Sequence, residues 1–493
     1  MGLALAAGGI APAWSAEPAQ DEKAAKDDED KIKDEKKKRE PRDVRAGKQL
    51  HIQITQQMGV HDDLEIQEYV QRIGDKLSAF TGRTDWEWKF TIVDTDDVNA
   101  FATQGGFVYI SRGILPYLQN EAQLAAVIGH EIAHNAAEHS KKRQRQGMLA
   151  GIASAATAIF TGMPALADLT NVAGTAIILG YGREAELEAD RLGADYLVKA
   201  GYDPDALIDV IAVLKNQELF EREQARLEKR TPRVYHGVFS SHPAADTRLQ
   251  EAVAAAGKVQ ASATGDILNR DGYLDAINGL PVGSSRRQGM LRENRFYHAD
   301  MQFTVAFPRG WEIHNSPTQL LAIAPNREHI MELRTQAPPP DLTDPRDFAM
   351  RGLGNRRLDH SRAYEINGLK AWTAVVRNDP SPYGQSTSVR YVIVYYGNLM
   401  WVFKAASRSN TTVPAGDALF LSTANTFRRL RGDEFRLAEP HRLAVIRATE
   451  GMTIDQLAST AKIEKYPAQE LRLFNDLYPK GEPAPGDRVK TVR

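Results

Sequence analysis

Apolar positions recur at helical spacing in NEAQLAAVIGHEIAHNAAEH, residues 120–139, where Leu124, Val127, Ile128 and Ile132 mark one stripe. Asn120, with Gln123 three positions on, predicts a capping-box start to that helix. Upstream, Gly105-Gly106 reads as a turn entering a strand over Phe107, Val108, Tyr109 and Ile110. A charged helix is predicted in GREAELEADRLGADYLVKAGYDP, from Gly182 to Pro204. Beyond Phe296 the pattern changes to strand-like runs, MQFTVAFP, QLLAIAP, HIMELRT, AWTAVVR, VRYVIVYY and LMWVFKAAS. Gly- and Pro-rich turns and one helix near Asp344–Gly354 separate these runs, which predicts an antiparallel α+β domain. From about Val445 the tail reads as a βααβ unit, with Glu450-Gly451-Met452-Thr453 entering its first helix, Leu473-Phe474-Asn475 ending its second, and Pro485-Gly486-Asp487 turning into a strand at Val489.

A chain of 493 residues exceeds one compact core and predicts two to four domains. Residues 1–16, MGLALAAGGIAPAWSA, have the apolar core and small-residue exit of a secretory signal peptide, with cleavage expected after Ala13 or Ala16. A charged, disordered linker is expected over 17–46, because residues 21–45 carry ten acids and ten bases in 25 positions and cannot bury enough apolar surface to offset chain entropy. The expected order is then a mainly helical domain over 47–257, a linker over 258–295, the α+β domain over 296–432 and the βααβ unit over 440–493. Between Arg145 and Asp168, 22 consecutive residues are uncharged, long enough for a membrane span. Seven alanines, three glycines and Pro164 argue instead for two short apolar helices over 146–182, covering a site as a lid or touching a membrane surface.

The formal net charge of −2 argues against a nucleic-acid partner. A mean hydropathy of −0.43 excludes a polytopic membrane protein. The absence of cysteine removes disulfides, thiolate metal sites and cysteine nucleophiles together.

The chemistry is concentrated in HEIAH, His130, Glu131 and His134. Four residues' separation puts both imidazoles on one helical face, as two ligands of one tetrahedral zinc require. Glu131 is offset around the helix and suits the general base of metal-assisted hydrolysis. Two unpaired histidines in so apolar a helix would be costly, which favours the metal reading over chance. A third ligand is needed. His139 is rejected, because it lies nine residues after His130, one short of the spacing that the longer metzincin pattern requires. On the downstream helix Glu186 and Asp190 share a face one turn apart while Glu188 points away; Glu184 and Glu188 are spaced equally, so spacing does not choose between the pairs.

Four blocks, NAFATQGGFVYISRGIL at Asn99–Leu115, HEIAH, ELEAD at 186–190 and SHPAADTRL at Ser241–Leu249, together resemble the HtpX and CAAX-prenyl-protease type of zinc metallopeptidases, nearest their soluble periplasmic BepA-like branch. The resemblance implies a mainly helical gluzincin domain with one zinc per chain, held by His130, His134 and Glu186, with Asp190 in the outer shell. It makes His242 a latch on the open zinc position or a stabiliser of the oxyanion. It also implies that the strand Phe107–Ile110 is an edge beside the catalytic helix, pairing with extended substrate. The α+β domain resembles the PsbP/Mog1 type, and the tail resembles a LysM module, which would bind peptidoglycan. The expected protein is thus an exported periplasmic zinc endopeptidase acting on misfolded or stalled envelope proteins. The alternative is a chaperone or peptidoglycan-anchored adaptor with a mostly closed zinc site.

Overall fold

The structure is a computed structural model that describes residues 41–139, 181–232, 266–316, 319–409 and 413–493. The signal-peptide expectation, nearly all of the 146–182 lid and His242 lie outside these residues.

Helix α1 (Arg42–Met58) and helix α2 (Leu64–Ser78) open the chain. Asp63 caps α2 by accepting from the backbone of Glu65 and Ile66, and Ile66, Val70, Ile73 and Leu77 bury one face at helical spacing. The start of α1 falls inside the linker expected over 17–46, because Val44 already packs into the core. Strands β1 (Lys89–Val93), β2 (Ala100–Thr103) and β3 (Phe107–Ser111) form a three-stranded sheet in the order β1-β3-β2. β3 pairs parallel with β1 and antiparallel with β2. This corrects the expectation that Phe107–Ile110 forms an edge: all five residues of β3 are buried and the strand is central, which leaves β2 as the edge facing the site. The β2–β3 turn requires Gly105, whose φ is 84° and where a Cβ would lie 2.6 Å from the Cα of Val44.

Helix α3 (Glu121–Ala136) carries HEIAH. Asn120 caps it, its Oδ1 accepting from the Gln123 backbone at 2.9 Å. The Gln123 side chain reaches back to the Gln119 amide rather than to Asn120, so the reciprocal bond falls one residue earlier than the expected capping box. Helices α4 (Arg183–Lys199) and α5 (Ala206–Leu227) pack against α3. Residues 266–295 correct the linker expectation: helix α6 (Arg270–Ile277) buries Tyr273, Leu274 and Ile277 in the same core as α3, and strand β4 (Pro281–Val282) follows. Tyr273 donates to the Leu115 carbonyl at 2.6 Å. A segment that supplies core side chains is part of the folded unit, not a connection between units.

Strands β5 (Met290–Arg292), β6 (Arg295–His298) and β7 (Phe303–Ala306) begin the antiparallel region. It continues through β8 (Glu312–Ser316), β9 (Gln319–Ile323), β10 (His329–Gln336), helix α7 (Pro345–Leu353), β11 (Leu358–Ile366), β12 (Leu369–Pro380), β13 (Ser386–Tyr396), β14 (Leu399–Ser407), helix α8 (Val413–Ala424) and β15 (Arg428–Arg429). Seven strands form one sheet in the order β11-β12-β13-β14-β10-β9-β8, and four form a second, β15-β7-β6-β5. Phe296, Phe303, Val392, Trp401 and Phe403, from both sheets, share one core. Each apolar run read from the sequence lies in a strand, whereas polar β11, at the sheet edge, carries no such run.

A short helix, α9 (Glu434–Leu437), precedes the tail. There, β16 (His441–Arg447) and β17 (Arg488–Val492) pair antiparallel around helices α10 (Ile454–Thr460) and α11 (Pro467–Phe474). The unit does not stand apart. Its Ile454, Leu471, Phe474 and Val492 share a core with Leu115, Tyr117 and Leu118, and β16 also pairs with β4. Among the described residues no helix is long and apolar enough to cross a membrane.

Candidate metal centre

Helix α3 turns His130 and His134 to the same side, and their Nε2 atoms lie 2.9 Å apart. Glu186, in the first turn of α4, closes the group, with Oε1 3.4 Å from His134 Nε2 and Oε2 3.6 Å from His130 Nε2. One ligand atom from each of the three lies within 4.8 Å of the others. All three are buried, His134 and Glu186 with no exposure at all. A carboxylate enclosed with two imidazoles needs a compensating charge, and two nitrogens plus one oxygen suit a tetrahedral divalent metal with one open position. The residues present therefore fit a metal ion.

The local sequence explains the assembly. Gly193 lets α4 cross close to α3: a Cβ there would lie 3.2 Å from the His130 amide nitrogen and 3.3 Å from the Gly129 carbonyl carbon. Asn135 ties the end of α3 to the sheet, its Nδ2 donating to the Thr103 carbonyl at 2.6 Å and to that of Phe107 at 3.3 Å. The crossing also resolves the choice that spacing left open. Glu186 and Asp190 face α3 and are buried, while Glu184 is exposed. Asp190 Oδ1 lies 2.9 Å from His130 Nδ1, on the opposite side of the ring from the ligand cluster. Glu131 is 2% exposed and with His130 walls a small apolar cavity of about 20 Å³, closed on the far side by Val210, Ile211 and Leu214 of α5.

Three neighbours escaped the sequence reading. Tyr181 stacks on His134, with ring centroids 3.9 Å apart and planes 16° from parallel. His139, considered only as a metal ligand, sits behind His134 with Nδ1 2.9 Å from His134 Nδ1. Glu188 meets His139, Oε2 lying 3.1 Å from its Nε2. The signal for His139 was masked by helix geometry. α3 ends at Ala136, and Glu138 at φ 57° turns the chain back beneath His134.

Two histidines and a glutamate on crossing helices, with a buried HExxH glutamate beside them, form a site able to hold a metal ion. Residues 65–256 match Peptidase family M48. Over 204 residues the chain is 30% identical to the beta-barrel assembly-enhancing protease of Escherichia coli, covering 39% of each protein. Over 143 residues it is 32% identical to the mitochondrial metalloendopeptidase OMA1 of Schizosaccharomyces pombe, covering 28% of this chain and 41% of that one. The chain thus spans about two fifths of the length of these curated relatives. Among solved structures, the solution structure of cyanobacterial PsbP from Synechocystis aligns with 29% of this chain and 95% of that one, at 14% identity and a TM-score of 0.23.

Proposed function

We propose that this protein is a periplasmic zinc-dependent endopeptidase that hydrolyses peptide bonds of misfolded or stalled envelope proteins. The observation that carries the reading is the convergence of His130, His134 and Glu186 on one point with Glu131 on the adjoining position of the same helix. The relatives' printed names, a beta-barrel assembly-enhancing protease and a mitochondrial metalloendopeptidase, support the choice of protein substrates and, for the first, of the envelope.

In this reading His130 and His134 give their Nε2 lone pairs to zinc and Glu186 gives a carboxylate oxygen. Zinc at that position supplies Lewis acidity toward the scissile carbonyl and toward water. Glu131 accepts a proton from the attacking water and delivers it to the leaving amine nitrogen. Asp190 holds the His130 ring through Nδ1. An extended substrate adds as a further strand to the edge of β2, not to β3, and its backbone amides and carbonyls supply most of the recognition.

His242 acts in this account as latch or oxyanion stabiliser, on the strength of the sequence resemblance alone. The test is zinc content and casein cleavage by the full chain, beside Glu131→Gln and His242→Ala. About one zinc in each form is expected, with no turnover in Glu131→Gln and equal or faster turnover in His242→Ala. Slower turnover in His242→Ala rejects the latch and favours the stabiliser.

Burial of the whole ligand cluster, and the stacking of Tyr181 on His134, favour one second reading: a chaperone or adaptor whose metal site is mostly shut. Client binding unaffected by Glu131→Gln, with no cleavage by any form, selects it. The tail's integration into the shared core supports a packing role over a tether to peptidoglycan; co-sedimentation of the full chain with peptidoglycan sacculi tests the glycan reading.

A further inference from the structure

His134 has no solvent exposure, and its two ring nitrogens face different surroundings. Nε2 belongs to the ligand cluster, 3.4 Å from Glu186 Oε1. Nδ1 lies 2.9 Å from Nδ1 of His139, whose ring is tilted 70° to it. His139 is itself only 3% exposed, and its other nitrogen, Nε2, lies 3.1 Å from Glu188 Oε2. The Glu188 side chain is 44% exposed, so this chain of contacts runs from the site to the surface.

An imidazole that gives its Nε2 lone pair to a metal carries its hydrogen on Nδ1. Buried, that N–H requires an acceptor. For His134 the atom in place is His139 Nδ1, which accepts only in the tautomer that carries hydrogen on Nε2. The carboxylate of Glu188 accepts from that Nε2–H and so selects the tautomer. One arrangement of hydrogens satisfies all three groups, and it is the arrangement in which His134 Nε2 is available to a metal.

We propose that His139 and Glu188 are positioning residues for the metal ligand His134, fixing its ring orientation and tautomer through two successive hydrogen bonds. The inference rests on the reading of His130, His134 and Glu186 as a metal centre. It makes the two histidine ligands alike in principle and different in wiring. Asp190 meets His130 directly, whereas Glu188 reaches His134 through a second imidazole. Both carboxylates come from α4, two residues apart, so the helix that supplies the third ligand also steadies the first two.

The test is zinc affinity of the full chain by chelator competition, alongside the melting temperature of the metal-free protein. His139→Ala is expected to weaken zinc binding about 10- to 100-fold, the range for outer-shell losses. Glu188→Ala weakens it less, the double variant is no worse than His139→Ala, and His139→Gln, which keeps an acceptor oxygen, recovers part of the loss. The metal-free melting temperature stays near that of the parent in Glu188→Ala, whose exposed side chain makes folding failure improbable as an explanation. Parent-like zinc affinity in both Glu188→Ala and His139→Ala overturns the proposal, as does a lowered metal-free melting temperature with zinc affinity unchanged. Should His139→Ala not fold, Glu188→Ala decides alone. If the parent chain binds no zinc, the metal reading itself fails and this inference falls with it.

Discussion

Ionisable and polar groups are buried both where α3 crosses α4 and where the tail meets the turn after β3, and the two places use them in opposite ways. At the helix crossing three ligand-type side chains point at one spot and share it. At the tail seam the contacts are separate rather than shared. Lys490, fully buried, donates to the Leu118 carbonyl at 2.7 Å; Tyr117 meets Glu470 at 3.1 Å; Gln119 donates to the Phe474 carbonyl at 3.0 Å. Convergence of donor atoms suits a shared cation, whereas separate pairing leaves nothing for a ligand to do. Burial alone does not distinguish chemistry from fastening; the geometry of the partners does.

The contrast is broken most severely at Glu131 and Glu186. Glu131→Gln is expected to lower peptide hydrolysis by about 10²- to 10⁴-fold with zinc retained, and Glu186→Ala to lose the zinc itself, read as metal content after dialysis. Substitution at the tail seam should leave zinc content untouched. Gly193→Ala has a smaller effect, because the helices must separate by a few tenths of an ångström to admit the methyl. We expect about a tenfold loss of zinc affinity and about 1–3 kcal/mol of stability, measured by chelator competition and urea unfolding.

The seam is expected to show itself through pH. Burial of the Glu470 carboxyl pushes it from 4.5 up to about 7. The folded state therefore binds a proton that the unfolded state has released between those values. Its contribution is fully present below about pH 4.5 and lost as pH rises through about 7. Glu470→Gln should flatten that decline, by an amount on the order of 3 kcal/mol, in melts recorded from pH 4.5 to 8. Burial holds Lys490 well below its ordinary value of 10.5. There the unfolded state binds the extra proton, so stability rises with pH below 10.5 and Lys490→Met should remove the rise. This last effect is expected to be the smallest at neutral pH, since losing the bond to the Leu118 carbonyl offsets the relief of burying a charge.

Local features were legible in the sequence wherever one element decided them. The stripe through Leu124, Val127, Ile128 and Ile132, the cap at Asn120 and the four-residue spacing of His130 and His134 are properties of one helix, and α3 shows all three. The apolar runs after Phe296 are likewise strands, because sheet burial imposes its pattern on each strand separately. What stayed hidden depends on how elements meet. Glu186 with Asp190 and Glu184 with Glu188 look equivalent until Gly193 brings α4 against α3. His139 enters the site through a left-handed residue after the helix end, which no periodicity records. The central place of β3 follows from a parallel pairing with β1, and the burial of α6 from contacts with distant segments. The tail's pattern shows its strands and helices, not that Lys490 reaches Leu118 across 372 positions.

The most direct test of the central claim is metal content together with casein cleavage, measured on the full chain and on Glu131→Gln from the same preparation. The account predicts about one zinc per chain in both and cleavage in the parent only. A parent chain that cleaves without zinc, or a Glu131→Gln variant that cleaves as fast as the parent, would contradict it.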